Sequence, residues 1–158
     1  MPKRKYTLLY YIGALTLLLL TACKQHTVYY HYEDTPVAGW EKNDTLTFYT
    51  EPVKQTGQYS EKVGLRISSD YPFMSLQLIV DQEVLTTHES RSDTLSCSLV
   101  DEQGNIMGPG ISTYQYEFPL TTLALNEGDR LQIVVHHDMK REILPGISNV
   151  GISLTQER

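Results

Sequence analysis

Cysteine is almost absent from this chain, with only Cys23 and Cys97 among 158 residues. Cys23 falls in a processing signal described below, so Cys97 has no partner and no disulfide framework is available to the fold. Clustered Lys and Arg are missing too, which argues against nucleic acid or anionic headgroups as partners, since both need concentrated positive charge. Acidic residues are scattered rather than blocked and read as a solubilising surface. No window holds a 3.6-residue apolar period over three turns, which excludes a helical bundle. Internal repeats and low-complexity segments are lacking as well.

Motifs of catalysis are equally scarce. No Gly-x-Ser-x-Gly elbow and no glycine-rich phosphate loop between strand and helix occur. Of the five histidines (His26, His31, His88, His136 and His137), the adjacent pair points to opposite faces if it lies on a strand, so the two cannot share a metal ion. Acidic pairs such as Glu33-Asp34 and Asp101-Glu102 fall in tether or turn positions. No enzyme activity, cofactor or metal is expected.

One long apolar run exists, and it is at the start. Lys3, Arg4 and Lys5 precede an uncharged stretch from Leu8 to Leu20. As a helix this stretch would measure roughly 20 Å, short of a roughly 30 Å hydrocarbon core, so it reads as the apolar region of a signal peptide. Leu20-Thr21-Ala22-Cys23 follows and resembles a bacterial lipobox. Small residues at Thr21 and Ala22 let a peptidase approach the backbone, and the Cys23 thiol takes the diacylglyceryl group. Residues 1–22 are therefore expected to be a cleaved signal peptide and Cys23 the lipidation site. With two or three acyl chains, each CH₂ contributing roughly 0.8 kcal/mol, the lipid alone would hold the protein at a membrane. The mature chain would run from Cys23 with ten basic against 19 acidic residues, a formal charge near −9.

The rest alternates with period two. Leu46 and Phe48, then Val63, Leu65 and Ile67, then Leu76, Leu78 and Val80 each share one parity. Leu95, Cys97 and Leu99 continue the pattern, as do Tyr114, Tyr116 and Phe118, then Leu131, Ile133 and Val135, and last Val150, Ile152 and Leu154. Strands with one buried face give this signature. Turn chemistry separates the runs at Thr56-Gly57, Asp101–Asn105, Gly108-Pro109-Gly110, Asn126–Asp129 and Pro145-Gly146. The expected fold class is all-β: a single antiparallel β-sandwich of seven to nine strands, Ig-like or jelly-roll in type. Its core should include Phe48, Leu65, Ile67, Leu78, Cys97, Leu99, Ile133, Val135 and Ile152. Cys97 is thus expected to be an inert buried hydrophobe. Residues 23–39 read as lipidated N-terminus and tether, more β-prone at Thr27–Tyr32, and residues 40–158 as the sandwich. Thr121–Leu125 and His137–Leu144 have room for one helical turn each. Trp40, the tyrosines at 29, 30, 32, 114 and 116, and Tyr71-Pro72-Phe73 are expected to serve the core, with a sugar-stacking platform as the alternative.

Several segments together resemble the gliding-motility lipoprotein GldH family of the Bacteroidota. They are Trp40-Glu41-Lys42-Asn43-Asp44-Thr45-Leu46-Thr47-Phe48, Leu65-Arg66-Ile67 leading to Tyr71-Pro72-Phe73, and Asp93 through Leu99 with Asp101, Gly104, Gly108 and Gly110. Met139-Lys140-Arg141 through Leu144, Gly146-Ile147 and Val150-Gly151-Ile152 complete the set. Ser75 and Lys140-Arg141 depart from the pattern. The resemblance implies a membrane-anchored, non-enzymatic accessory of the gliding machinery, tied to its secretion apparatus and acting through envelope protein partners. A glycan-binding lipoprotein is the alternative. Arg66, Lys140 and Arg141 are the candidate partner-binding residues, because basic side chains stand out on so acidic a chain. Lys24 after Cys23, with no acidic stretch behind it, points to the outer membrane and a domain facing the periplasm.

Overall fold

In a computed structural model that describes residues 26–157, every alternating run above becomes a strand. Eight strands build two four-stranded antiparallel sheets: β1 (His26–Asp34), β3 (Leu46–Tyr49), β4 (Gly57–Ser68), β5 (Ser75–Val84), β6 (Glu89–Ser98), β7 (Thr113–Leu125), β8 (Leu131–His137) and β10 (Ile147–Gln156). Two residues each suffice for β2 (Trp40–Glu41) and β9 (Ile143–Leu144), which pair only with one another. The first sheet runs β1-β10-β4-β7 and the second β3-β8-β5-β6. That interleaving is the double Greek key of a jelly roll, which decides between the two sandwich types that patterning leaves open.

All nine expected core residues are buried, in one cluster fed by both sheets. Cys97 is among them, and burial pushes its thiol pKa up to about 12, so it stays protonated. Trp40 has no exposed surface and plugs one end of the core, donating its indole N–H to the Asp44 carbonyl at 3.0 Å. Its ring meets His137 edge-on at 5.3 Å, and His137 Nε2 lies 3.2 Å from the Trp40 carbonyl. Burial, above all, lowers the His137 pKa.

Three expectations change. The sheet begins at His26, inside the segment read as tether, because β1 pairs with β10 from His26↔Gln156 to Asp34↔Asn149. Glu33 and Asp34 are therefore strand residues. Thr121–Leu125 is the end of β7 rather than a helical turn, drawn into the ladder by Gly57–Glu61. His137–Leu144 is likewise non-helical: it leaves β8 and re-enters pairing at β9. Pro119 is tolerated within β7 because that strand is an edge, beside a register shift at Glu61/Lys62.

Candidate functional site

Strand direction gives the sandwich two unlike poles. The described chain starts at the pole that holds the short connections 50–56, 85–88 and 126–130. At the far pole lie the connections 35–45, 69–74, 99–112 and 138–146, the first and last carrying β2 and β9. Among the described residues, six of the eight exposed large hydrophobics sit there: Val37, Met74, Ile106, Met107, Ile111 and Ile143. The remaining two, Tyr30 and Tyr49, are on strands.

Rigid contacts hold the far pole in shape. Trp40 pairs with Leu144 and Glu41 with Ile143, so two segments about a hundred residues apart in sequence are locked together. Lys42 clamps the intervening loop, donating its backbone N–H to the Glu142 carbonyl at 2.8 Å and its ammonium to the Met139 carbonyl at 2.9 Å. Gly146 has a positive φ of 79° and lies against the Tyr71 backbone with no room for a Cβ. Tyr71 in turn donates to the Ser75 carbonyl at 2.9 Å and packs on Phe73. In the 101–105 turn the Asp101 carboxylate accepts from the Gln103 and Asn105 backbone N–H groups and the Asn105 amide, and the Asn105 bonds above all lower its pKa. The segments that carry the family resemblance thus converge on this pole.

The expected site residues divide. Lys140 and Arg141 are exposed in the 138–142 connection of the far pole. Arg66 is on the outer face of the first sheet, its guanidinium carbon 4.2 Å from the centre of the Tyr32 ring. No hydrogen bond or ion pair joins Arg66 to the other two, and none of the three has a carboxylate partner among the described residues. Cys23 and residues 1–22, the expected signal peptide, lie outside the described residues. Of the aromatics, Trp40 and Tyr116 are core, while Tyr29, Tyr71, Phe73, Tyr114 and Phe118 pack against it. Among the described residues only Tyr30 and Tyr32 present rings on the outer face of the first sheet, a placement that depends on register and is invisible to pattern alone.

One buried group went unnoticed in the sequence. Glu61 is fully buried between the sheets, and neither its carboxylate oxygens nor the side-chain amide of buried Gln82 has a hydrogen-bond partner among the described residues. Burial first, then the Asp93 carboxylate, raises the Glu61 pKa to about 8, against smaller lowering effects of Arg91 and Gln82. The signal was its parity with Tyr59 and Val63, which marks it as inward-facing. Among the described residues no three His, Cys, Asp or Glu side chains gather as a metal site.

A family model described as "GldH lipoprotein" matches residues 27–154. The gliding motility lipoprotein GldH of Flavobacterium johnsoniae is 32% identical over 98 residues, which is 62% of this chain and 60% of that protein. Solved structures align at low similarity. The globular domain of a zebrafish complement 1qA protein has a TM-score of 0.44 at 12% identity, covering 85% of this chain and 98% of that one. A carbohydrate-binding module specific for non-crystalline cellulose gives 0.43 at 8% identity, covering 80% and 72%.

Proposed function

The chain belongs to the GldH lipoprotein family, and from that premise we propose that it is a lipid-anchored accessory of the gliding-motility machinery that works through protein contacts at the far pole. The observation that carries this reading is the concentration of exposed apolar side chains at one end. Val37, Met74, Ile106, Met107, Ile111 and Ile143 are held on braced loops, whereas scattered single exposures need no explanation. Lys140 and Arg141 add unpaired positive charge on the same connections, suited to an acidic rim on the partner. β1 starts at the opposite pole, so lipid on Cys23, three residues upstream of it, would leave the far pole pointing away from the bilayer. Lys24 favours the outer membrane, with the domain in the periplasm.

A photo-crosslinking residue at Met107 or Ile111 tests this in the source bacterium, with one at Lys54 on the near pole as control. Adducts with envelope proteins of the motility or secretion apparatus are expected from the far pole alone. Equal adducts from Lys54, or none from Met107 and Ile111, would refute the docking assignment.

A further inference from the structure

We propose that the outer face of the first sheet is a binding site for an acidic carbohydrate, with Tyr30 as the stacking ring and Arg66, laid over Tyr32, as the cation that meets its carboxylates. Three adjacent cross-strand rows build it. Tyr30, Ser153, Lys62 and Pro119 form one row; Tyr32, Gly151, Gly64 and Glu117 the next; and Asp34, Asn149, Arg66 and Gln115 the third. In the middle row both inner strands carry glycine, and a Cβ at either position would overlap the Tyr32 side chain. Tyr32 therefore reaches across bare backbone. Tyr30 stands beside it, ring centres 5.5 Å apart and inclined at 62°, with 54% of its surface exposed.

The polar surround suits a sugar. Tyr30, Tyr32, Gly64, Glu117, Gly151 and Ser153 line a shallow depression. A pyranose offers a C–H face for a ring and a girdle of hydroxyls that need donors and acceptors in its own plane. Here the ammonium of Lys62, the carboxylate of Glu117 and the hydroxyl of Ser153 stand around the rings. These three rows hold no branched aliphatic side chain, whereas the exposed aliphatics gather at the far pole; the two surfaces suit different partners. Charge selects the class of sugar. Lys62 stands 3.9 Å from Glu117, and Arg66 faces no carboxylate among the described residues. The rows carry two cations and two carboxylates, but Glu117 stands beside Lys62 and Asp34 accepts from the Asn149 amide, which leaves Arg66 open to the carboxylates a ligand brings. Stacking on Tyr32 holds the Arg66 guanidinium in place for them.

The test is native affinity electrophoresis of the full lipoprotein in detergent, through gels containing polygalacturonate, neutral dextran or dextran sulfate. Polygalacturonate should retard it, and Tyr30→Ala and Arg66→Gln should each weaken that retardation about tenfold. Lys54→Gln on the near pole should leave it unchanged. Thermal melts of each variant confirm folding, which truncation of an exposed ring preserves. No retardation by polygalacturonate overturns the proposal. So does equal retardation by dextran, or retardation that dextran sulfate matches and Tyr30→Ala leaves intact, which marks charge alone. Protein adducts from a crosslinker at Tyr30 would make the face a protein interface and also overturn it. None of these outcomes touches the far-pole reading.

Discussion

Replacing Glu61 by Gln should stabilise the protein in a pH-dependent way. In the unfolded chain this carboxyl titrates near 4.5, and in the folded core near 8. The folded state therefore binds the extra proton between those values, and stability falls as pH rises through that window. Each pH unit within it corresponds to about 1.4 kcal/mol. At pH 7 the penalty relative to a neutral side chain is about 3 kcal/mol, and between pH 5 and 8 it grows by about 4 kcal/mol. Below pH 4.5 it vanishes. His137 acts in the opposite sense, since its lowered pKa makes stability rise with pH through the range below 6.5. Both proteins share that contribution, so it cancels in the difference. Urea unfolding at pH 5, 6, 7 and 8 measures the effect. With an m-value near 2 kcal/mol per molar, the midpoint of Glu61→Gln should gain about 2 M on the parent between pH 5 and pH 8. Parallel pH profiles for the two proteins would refute the reasoning, because a carboxyl that gains or loses no proton on folding cannot be starved of hydrogen bonds in the core.

Trp40→Ala should cost about 3–5 kcal/mol in urea unfolding, since the indole is fully enclosed where β2 and β9 close the core; a loss under 1 kcal/mol would contradict that packing. Gly64→Ala should destabilise by about 1–3 kcal/mol through overlap with Tyr32, and most of this should disappear in a Tyr32→Ala background. Additive losses in that double-mutant cycle would show that the ring is not the obstacle. Cys23→Ala should leave an unprocessed precursor without palmitate label, and normal size and labelling in that variant would remove the lipid assignment.

The buried face of each sheet was legible because side-chain parity is local: Leu65 and Ile67 face inward whatever strand lies beside them. Topology was not, since β1 and β10 pair across almost the whole chain, and only long-range register distinguishes a jelly roll from an Ig-like sandwich. Turn chemistry failed between β5 and β6, where Leu85-Thr86-Thr87-His88 contains neither glycine nor proline. His88 takes the positive φ of 61° there, its backbone N–H bonded to the Val84 carbonyl and its Nδ1 2.9 Å from Glu83. Among the site residues, Lys140 and Arg141 were visible as charge in an irregular segment. The six apolar residues of the far pole were not, because they are scattered over four connections that only the strand directions bring to one end. Parity alone turns Arg66 outward, between inward Leu65 and Ile67, but its stacking on Tyr32 needs two cross-strand registers.

Strand β10 follows the other described strands along the chain, yet it lies between β1 and β4 in the first sheet. That sheet cannot close until β10 has emerged, so synthesis and folding are coupled in time. A chain emerging residue by residue would hold β1 and β4 with open edges until Ile147–Gln156 arrives, and such edges invite wrong pairing. A stop codon that removes β10 would strip the first sheet of its central pairing and leave two unsatisfied edges, a lesion far larger than the loss of one strand.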